Sequence, residues 1–150
     1  MAVQQLQPHA LAGQELANED IERIYMQWDD ALSRNDPDAL LALYAPDAVL
    51  ESPLVSHLLE RDEGICRGHE ELRKLFEILA ARKPEVRKYH RAGYFTDGHT
   101  VIWEYPRSGP EGDQMDFVEV MEIAGGLIQK HRVYWGWFGV NVLKQDRYRR

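Results

Sequence analysis

The sequence predicts an α+β fold: three helices come first, and an antiparallel meander of strands packs against them. Three observations predict it. Trp28 to Pro53, WDDALSRNDPDALLALYAPDAVLESP, reads as a helix, a break, a second helix and a strand. From Gly68 to Arg82, Leu72, Leu75, Phe76 and Leu79 recur at helical spacing with charges on the other side. Beyond Pro84, strand-like segments are punctuated by Asp97-Gly98, a Gly/Pro-rich stretch from Ser108 to Asp113, and Ala124-Gly125-Gly126.

The elements follow in order. Residues 1–17 form either a flexible arm or a short lid helix. Asn18 is placed to cap a helix carrying Ile21, Ile24, Tyr25, Trp28, Ala31 and Leu32 on one side. Asp36 and Pro37 restart a helix as N-cap and first residue, with Leu40, Leu41, Leu43 and Tyr44 on its apolar side. Ala45-Pro46-Asp47 ends it, because a residue before proline avoids the helical region. A strand runs from there through Ala48–Ser52 to Pro53. Residues 54–67 read as a polar loop with room for a helical turn, and the third helix follows. Strands are expected over Val86–Phe95, Thr100–Arg107, Met115–Ile123 and Leu127–Val140. The domain spans 18–143, and 144–150 form a polar tail.

At 150 residues the chain suits one domain with a sizeable core. A net charge of −7 opposes a nucleic-acid partner and an anionic membrane surface. The single cysteine, Cys66, excludes an intrachain disulfide and reads as a small core filler. The N-terminal stretch has no basic region, and no apolar run approaches the roughly 20 residues that span a bilayer. These features point to a cytoplasmic protein.

The last hairpin holds the main chemical candidates. If Ala124, Gly125 and Gly126 form its loop, Ile123 faces Leu127 and Glu119 lies directly opposite His131. Opposed side chains sit about 4.5–5.5 Å apart at Cβ. A carboxylate at that distance fixes the imidazole tautomer and makes a general acid or base. A two-residue loop moves the register by one and separates the pair to opposite faces. Alternation groups Phe117, Glu119, Met121 and Ile123 with Trp103 and Trp135, and this aromatic set is assigned inward. His131, Val133 and Trp137 share that side. Val118 and Val120 then face outward, where an apolar sheet face suits a homodimer. His90, on the strand after the third helix, is a further pocket candidate. No HExxH, CxxC or close cluster of ligands points to a metal, although His90, Glu119 and His131 could converge as a two-His, one-carboxylate set. No phosphate loop, serine elbow or dinucleotide fingerprint is present, and no cofactor is implied. Asp29-Asp30 reads as a solvated face.

The segments ALSRNDPDALLALYAPDAVLESP, RGHEELRKLFEIL and HRVYWGWFG resemble the nuclear transport factor 2-like superfamily, in its SnoaL-like and ketosteroid-isomerase-like branches. The resemblance implies a cone-shaped, curved, mixed sheet wrapped around the N-terminal helices, with a deep pocket and a homodimeric assembly. In the isomerases a first-helix tyrosine, a carboxylic acid on a late strand and a general-base aspartate before a strand-ending proline carry the reaction. The matching positions are Trp28, Glu119 and Ser52. Ser52 cannot by itself abstract a proton α to a carbonyl. In scytalone-dehydratase-like members a histidine matches His90, and its acidic partner falls at Ser33.

Two functions follow. In the first, the chain is a cofactor-independent isomerase, cyclase or dehydratase. His131, Glu119 and His90 move protons on a hydrophobic oxygenated substrate such as a polyketide, steroid or aromatic compound. Trp28, Ser52, Phe76, Trp103, Phe117, Val133 and Trp135 bind it. In the second, the same cavity belongs to a non-catalytic ligand-binding or dimeric scaffold protein.

Overall fold

The structure, a computed structural model, describes residues 8–82, 91–108 and 114–145. Its elements are α1 (Pro8–Ser33), α2 (Pro37–Leu41), β1 (Tyr44–Glu51), α3 (Pro53–Leu59), β2 (Ile65–Arg67), α4 (Gly68–Ala80), β3 (Phe95–Thr96), β4 (Thr100–Ser108), β5 (Gln114–Ala124), β6 (Leu127–Trp135) and α5 (Trp137–Lys144). One mixed sheet runs in the order β2-β1-β6-β5-β4-β3. Only β1 and β6 pair in parallel; the other neighbours are antiparallel.

Helix α1 begins ten residues before the expected cap at Asn18, which lies inside it. Gln, Glu, Leu and Ala upstream are strong helix formers, and an exposed asparagine costs only a few tenths of a kcal/mol in a helix. Ile21, Ile24, Tyr25, Trp28 and Ala31 recur at three and four and are buried. The helix ends in a Schellman motif: Asn35 takes the left-handed conformation (φ 54°), and the N–H groups of Asn35 and Asp36 bond to the carbonyls of Leu32 and Ala31. Asp36 then caps α2 as expected, its Oδ1 accepting from Ala39 N at 2.9 Å.

Helix α2 lasts little more than one turn, and Leu43 and Tyr44 leave it. Ile128 N donates to Leu43 O at 2.9 Å, and Tyr44 opposes Ile128 in the ladder. A long-range pairing therefore overrides local helix propensity, and β1 starts three residues before Asp47. The expected loop at 54–67 contains α3 and β2. Ser52 caps α3 through Oγ, which accepts from Leu54 N, and Pro53 stands in the first turn.

Residues 83–90 lie outside the described part, so the first half of the expected Val86–Phe95 strand is not addressed. Its described end is irregular until the two residues of β3. The Asp97-Gly98 turn forms as expected, with Asp97 Oδ1 accepting from His99 N and Thr100 N at 2.9 and 2.7 Å. These bonds hold the Asp97 carboxyl below its usual range.

The last strand stops at Trp135 rather than Val140. Gly136 bonds through N–H to Asp116 O at 2.8 Å and opens α5. At Gly139 a Cβ would lie 2.9 Å from Trp135 Cε3, so α5 crosses the tryptophan ring only because that residue lacks one. Asp29-Asp30 is not a uniformly solvated face. Asp30 pairs with Arg34 in solvent, but Asp29 pairs with the buried guanidinium of Arg91 (3.3 Å), which stacks 3.7 Å over the Tyr25 ring. Burial raises the Asp29 carboxyl despite that cation. Among the described residues, no helix is long and apolar enough to cross a membrane.

Candidate active site

The inner face of the sheet and helices α1 to α4 border a hollow that opens to solvent on one side. Leu32, Leu40, Leu54, Leu75, Phe76 and Leu79 form the helical wall, and Leu50, Phe117, Val133 and Trp135 the sheet wall. The polar-tipped Trp28, Tyr44, Ser52, Tyr105, Glu119 and His131 also face it, and Trp135 carries an indole N–H as well. No described lysine or arginine lines it. An apolar cavity with a few convergent polar groups is the ordinary form of a small-molecule site.

Hairpin geometry places the central pair. Gly125 and Gly126 both have positive φ (58° and 72°), which makes a two-residue type I′ turn with Ala124 opposite Leu127. The expected three-residue loop is therefore absent. A two-residue turn alone would send His131 to the outer face. The ladder shifts by one between Glu122 and Ile123, where Gln129 is an extra residue on β6, and this bulge restores the face. Gln129 spends its side-chain amide on the carbonyls of Ala124 and Leu127. His131 ends opposite Met121, and Glu119 opposite Val133. The pair is diagonal rather than directly opposed.

The two side chains still meet. His131 Nε2 lies 2.5 Å from Glu119 Oε2, and each residue is only 2% exposed. Glu119 Oε1 accepts from the Tyr105 hydroxyl at 2.6 Å, and the Tyr44 hydroxyl lies 2.9 Å from His131 Nδ1. With Glu119 a carboxylate, this network assigns a neutral imidazole its proton on Nε2, leaving Nδ1 to accept from Tyr44. The Trp28 indole N–H donates to the Tyr44 oxygen. Burial, and then the charge of Glu119, push the Tyr44 phenol far above its usual range, against the opposing effect of Trp28. Tyr44 is thus held protonated.

Of the residues singled out from sequence, Trp28, Ser52, Phe76, Phe117, Glu119, His131, Val133 and Trp135 all border the hollow. Trp103 does not. It points inward but sits deeper, edge-on to Tyr25 and Trp28 at 5.2 and 5.3 Å, and is core. His90 lies outside the described residues. The Ser52 oxygen accepts from Leu54 N and so caps α3. No group of three His, Cys, Asp or Glu side chains among the described residues could hold a metal ion. Sequence reasoning missed Tyr44 and Tyr105. Tyr44 was hidden by a helical pattern that the fold overrides. Tyr105 carried a signal: it shares the inward alternation of Val101 and Trp103, and its hydroxyl on that face needs a buried partner.

The comparisons with known proteins agree with this architecture. Residues 25–131 match the model of the SnoaL-like domain. A steroid Δ-isomerase of Nocardioides simplex is 30% identical over 110 residues, covering 71% of this chain and 81% of that protein. An NTF2-like protein of unknown function from Burkholderia pseudomallei K96243 superposes with a TM-score of 0.68 at 16% identity, covering 83% of this chain and 96% of the other. TerC, crystallised with polyporic acid, gives a TM-score of 0.66 at 15% identity, covering 84% and 98%. The matched segment runs from Tyr25 on α1 to His131 on β6, and the chain belongs to the SnoaL-like domain family.

Proposed function

We propose that the protein is a cofactor-independent enzyme that moves protons on a small, largely apolar, oxygenated molecule, with isomerisation, cyclisation or loss of water as the outcome. The observation that carries this reading is the hydrogen-bonded His131–Glu119 pair inside an otherwise greasy hollow. An imidazole fixed by a carboxylate is a general acid or base, and Tyr105 fixes the carboxylate in turn. The aromatic walls suit a flat ligand, and the lack of a lining cation among the described residues suits an uncharged one. A relative named as a steroid Δ-isomerase and a fold neighbour crystallised with polyporic acid support steroid-like or polycyclic aromatic substrates.

One observation favours the second reading, a non-catalytic ligand-binding protein. Ser52 stands where the related isomerases place their base, and its oxygen serves a helix cap. Exchange of the α-protons of 2-tetralone in D2O, followed by proton NMR, separates the two. Catalysed exchange is expected, with a loss of about 10²-fold or more in His131→Gln and Glu119→Gln. Exchange no faster than buffer, or equal in all three proteins, selects the binding protein.

The homodimer is proposed through the outer face of the sheet. Ile102, Val118, Val120 and Tyr134 point outward in adjacent strands, beside the exposed ring of Phe95 and interleaved with Glu104 and Arg132. Light scattering is expected to give twice the chain mass, and Val120→Glu to give the monomer. A wild-type monomer at micromolar concentration contradicts it.

A further inference from the structure

Building on the acid–base reading above, we propose that Tyr44 is the residue that meets the ligand oxygen and relays protons between it and His131. The imidazole is closed on both sides: Nε2 is held by Glu119 at 2.5 Å and Nδ1 by Tyr44 at 2.9 Å. No in-plane position on His131 remains for a ligand. The next atom outward from Nδ1 is the Tyr44 oxygen, and Tyr44 borders the hollow.

A phenol has one proton and two lone pairs. With a neutral imidazole, the Tyr44 hydroxyl donates its proton to Nδ1 in a hydrogen bond, Trp28 occupies one lone pair, and the other is offered to the hollow as an acceptor. When a ligand O–H proton moves onto the Tyr44 oxygen, Tyr44 passes its own proton to Nδ1. The ligand O–H bond breaks and its oxygen keeps the electron pair as an oxyanion. Tyr44 gains one O–H bond as it loses the other, an N–H bond forms at Nδ1, and the imidazole becomes an imidazolium whose Nε2–H stays on Glu119. Nδ1–H then donates to the Tyr44 oxygen, and the Tyr44 proton points into the hollow as a donor. Every position on the oxygen is used in both states, with Trp28 in the same place throughout. The hydroxyl is therefore an acceptor before transfer and a donor after it. Because burial disfavours a tyrosinate, the two protons move together. Tyr105 sits at the other end of the chain, donating to Glu119, and serves as the positioning residue of the carboxylate.

The test uses the full chain and two probes of the same shape, 2-naphthol and naphthalene, with binding read by fluorescence. Tyr44→Phe keeps the ring against Phe76 and is expected to weaken 2-naphthol about tenfold while leaving naphthalene unchanged. Tyr105→Phe is expected to weaken 2-naphthol far less. Nitrogen-15 NMR of the wild-type protein is expected to find His131 protonated on Nε2 with a hydrogen-bonded Nδ1. The proposal is overturned if Tyr44→Phe weakens both probes equally or neither, if Tyr105→Phe alone loses 2-naphthol, or if wild-type His131 carries its neutral proton on Nδ1. The NMR arm decides even if Tyr44→Phe does not fold. None of these readings needs turnover, so a failure to exchange 2-tetralone is a separate result.

Discussion

Glu119→Met is expected to lower the free energy of unfolding by about 3–5 kcal/mol. The substitution keeps the volume and removes the acceptor for two buried donors. His131 Nε2 and the Tyr105 hydroxyl both lose their partner at buried positions. Stranding such groups costs far more than their bonds contribute on balance. The same reasoning predicts rescue. In Glu119→Met/His131→Phe the imidazole is gone as well, and well-packed apolar replacements of a buried polar pair are often neutral. The double variant is therefore expected to be more stable than Glu119→Met alone, with a coupling of about 0.5–3 kcal/mol. Urea titrations at unchanged slope give the comparison. Equal stability of the single variant and wild type would mean that the pair is not buried as the structure has it. Proton-transfer activity is expected to be lost in both variants.

Trp103→Ala is expected to cost about 3–5 kcal/mol, the usual cost of emptying a large aromatic core position. The ring is 1% exposed and is gripped edge-on by Tyr25 and Trp28. Tyr25 in turn carries the stacked Arg91. Removing the indole opens a cavity between α1 and β4 and loosens the Trp28 indole that donates to Tyr44. Trp103→Phe fills most of that space and is expected to be much milder, with 2-naphthol affinity retained. Thermal or urea unfolding checks the first expectation. A loss of naphthol binding in a well-folded Trp103→Phe would return Trp103 to the pocket wall.

The inward set on β5 was readable because a half-buried strand alternates, and Phe117, Glu119, Met121 and Ile123 are all buried as alternation requires. The covering helix α4 was readable for the same kind of reason. The register of the last hairpin was not. It depends on a two-residue turn and on the bulge at Gln129, each of which reverses the face. Neither leaves a periodic trace, and the two reversals cancel. Tyr44 was unreadable because LLALY has the spacing of a helix, whereas its pairing with Ile128 crosses most of the chain. Arg91 against Asp29 was hidden likewise, because the contact joins a helix to a distant irregular segment.

The central claim is that a ligand oxygen can reach the Tyr44–His131–Glu119 chain inside the hollow, and a crystal structure of the protein soaked with 2-naphthol measures this most directly. The expected result is a naphthyl ring between Phe76, Phe117 and Trp135 with its oxygen within about 3.2 Å of the Tyr44 oxygen. A hollow closed by its own side chains, with the probe bound only outside it, would contradict the claim.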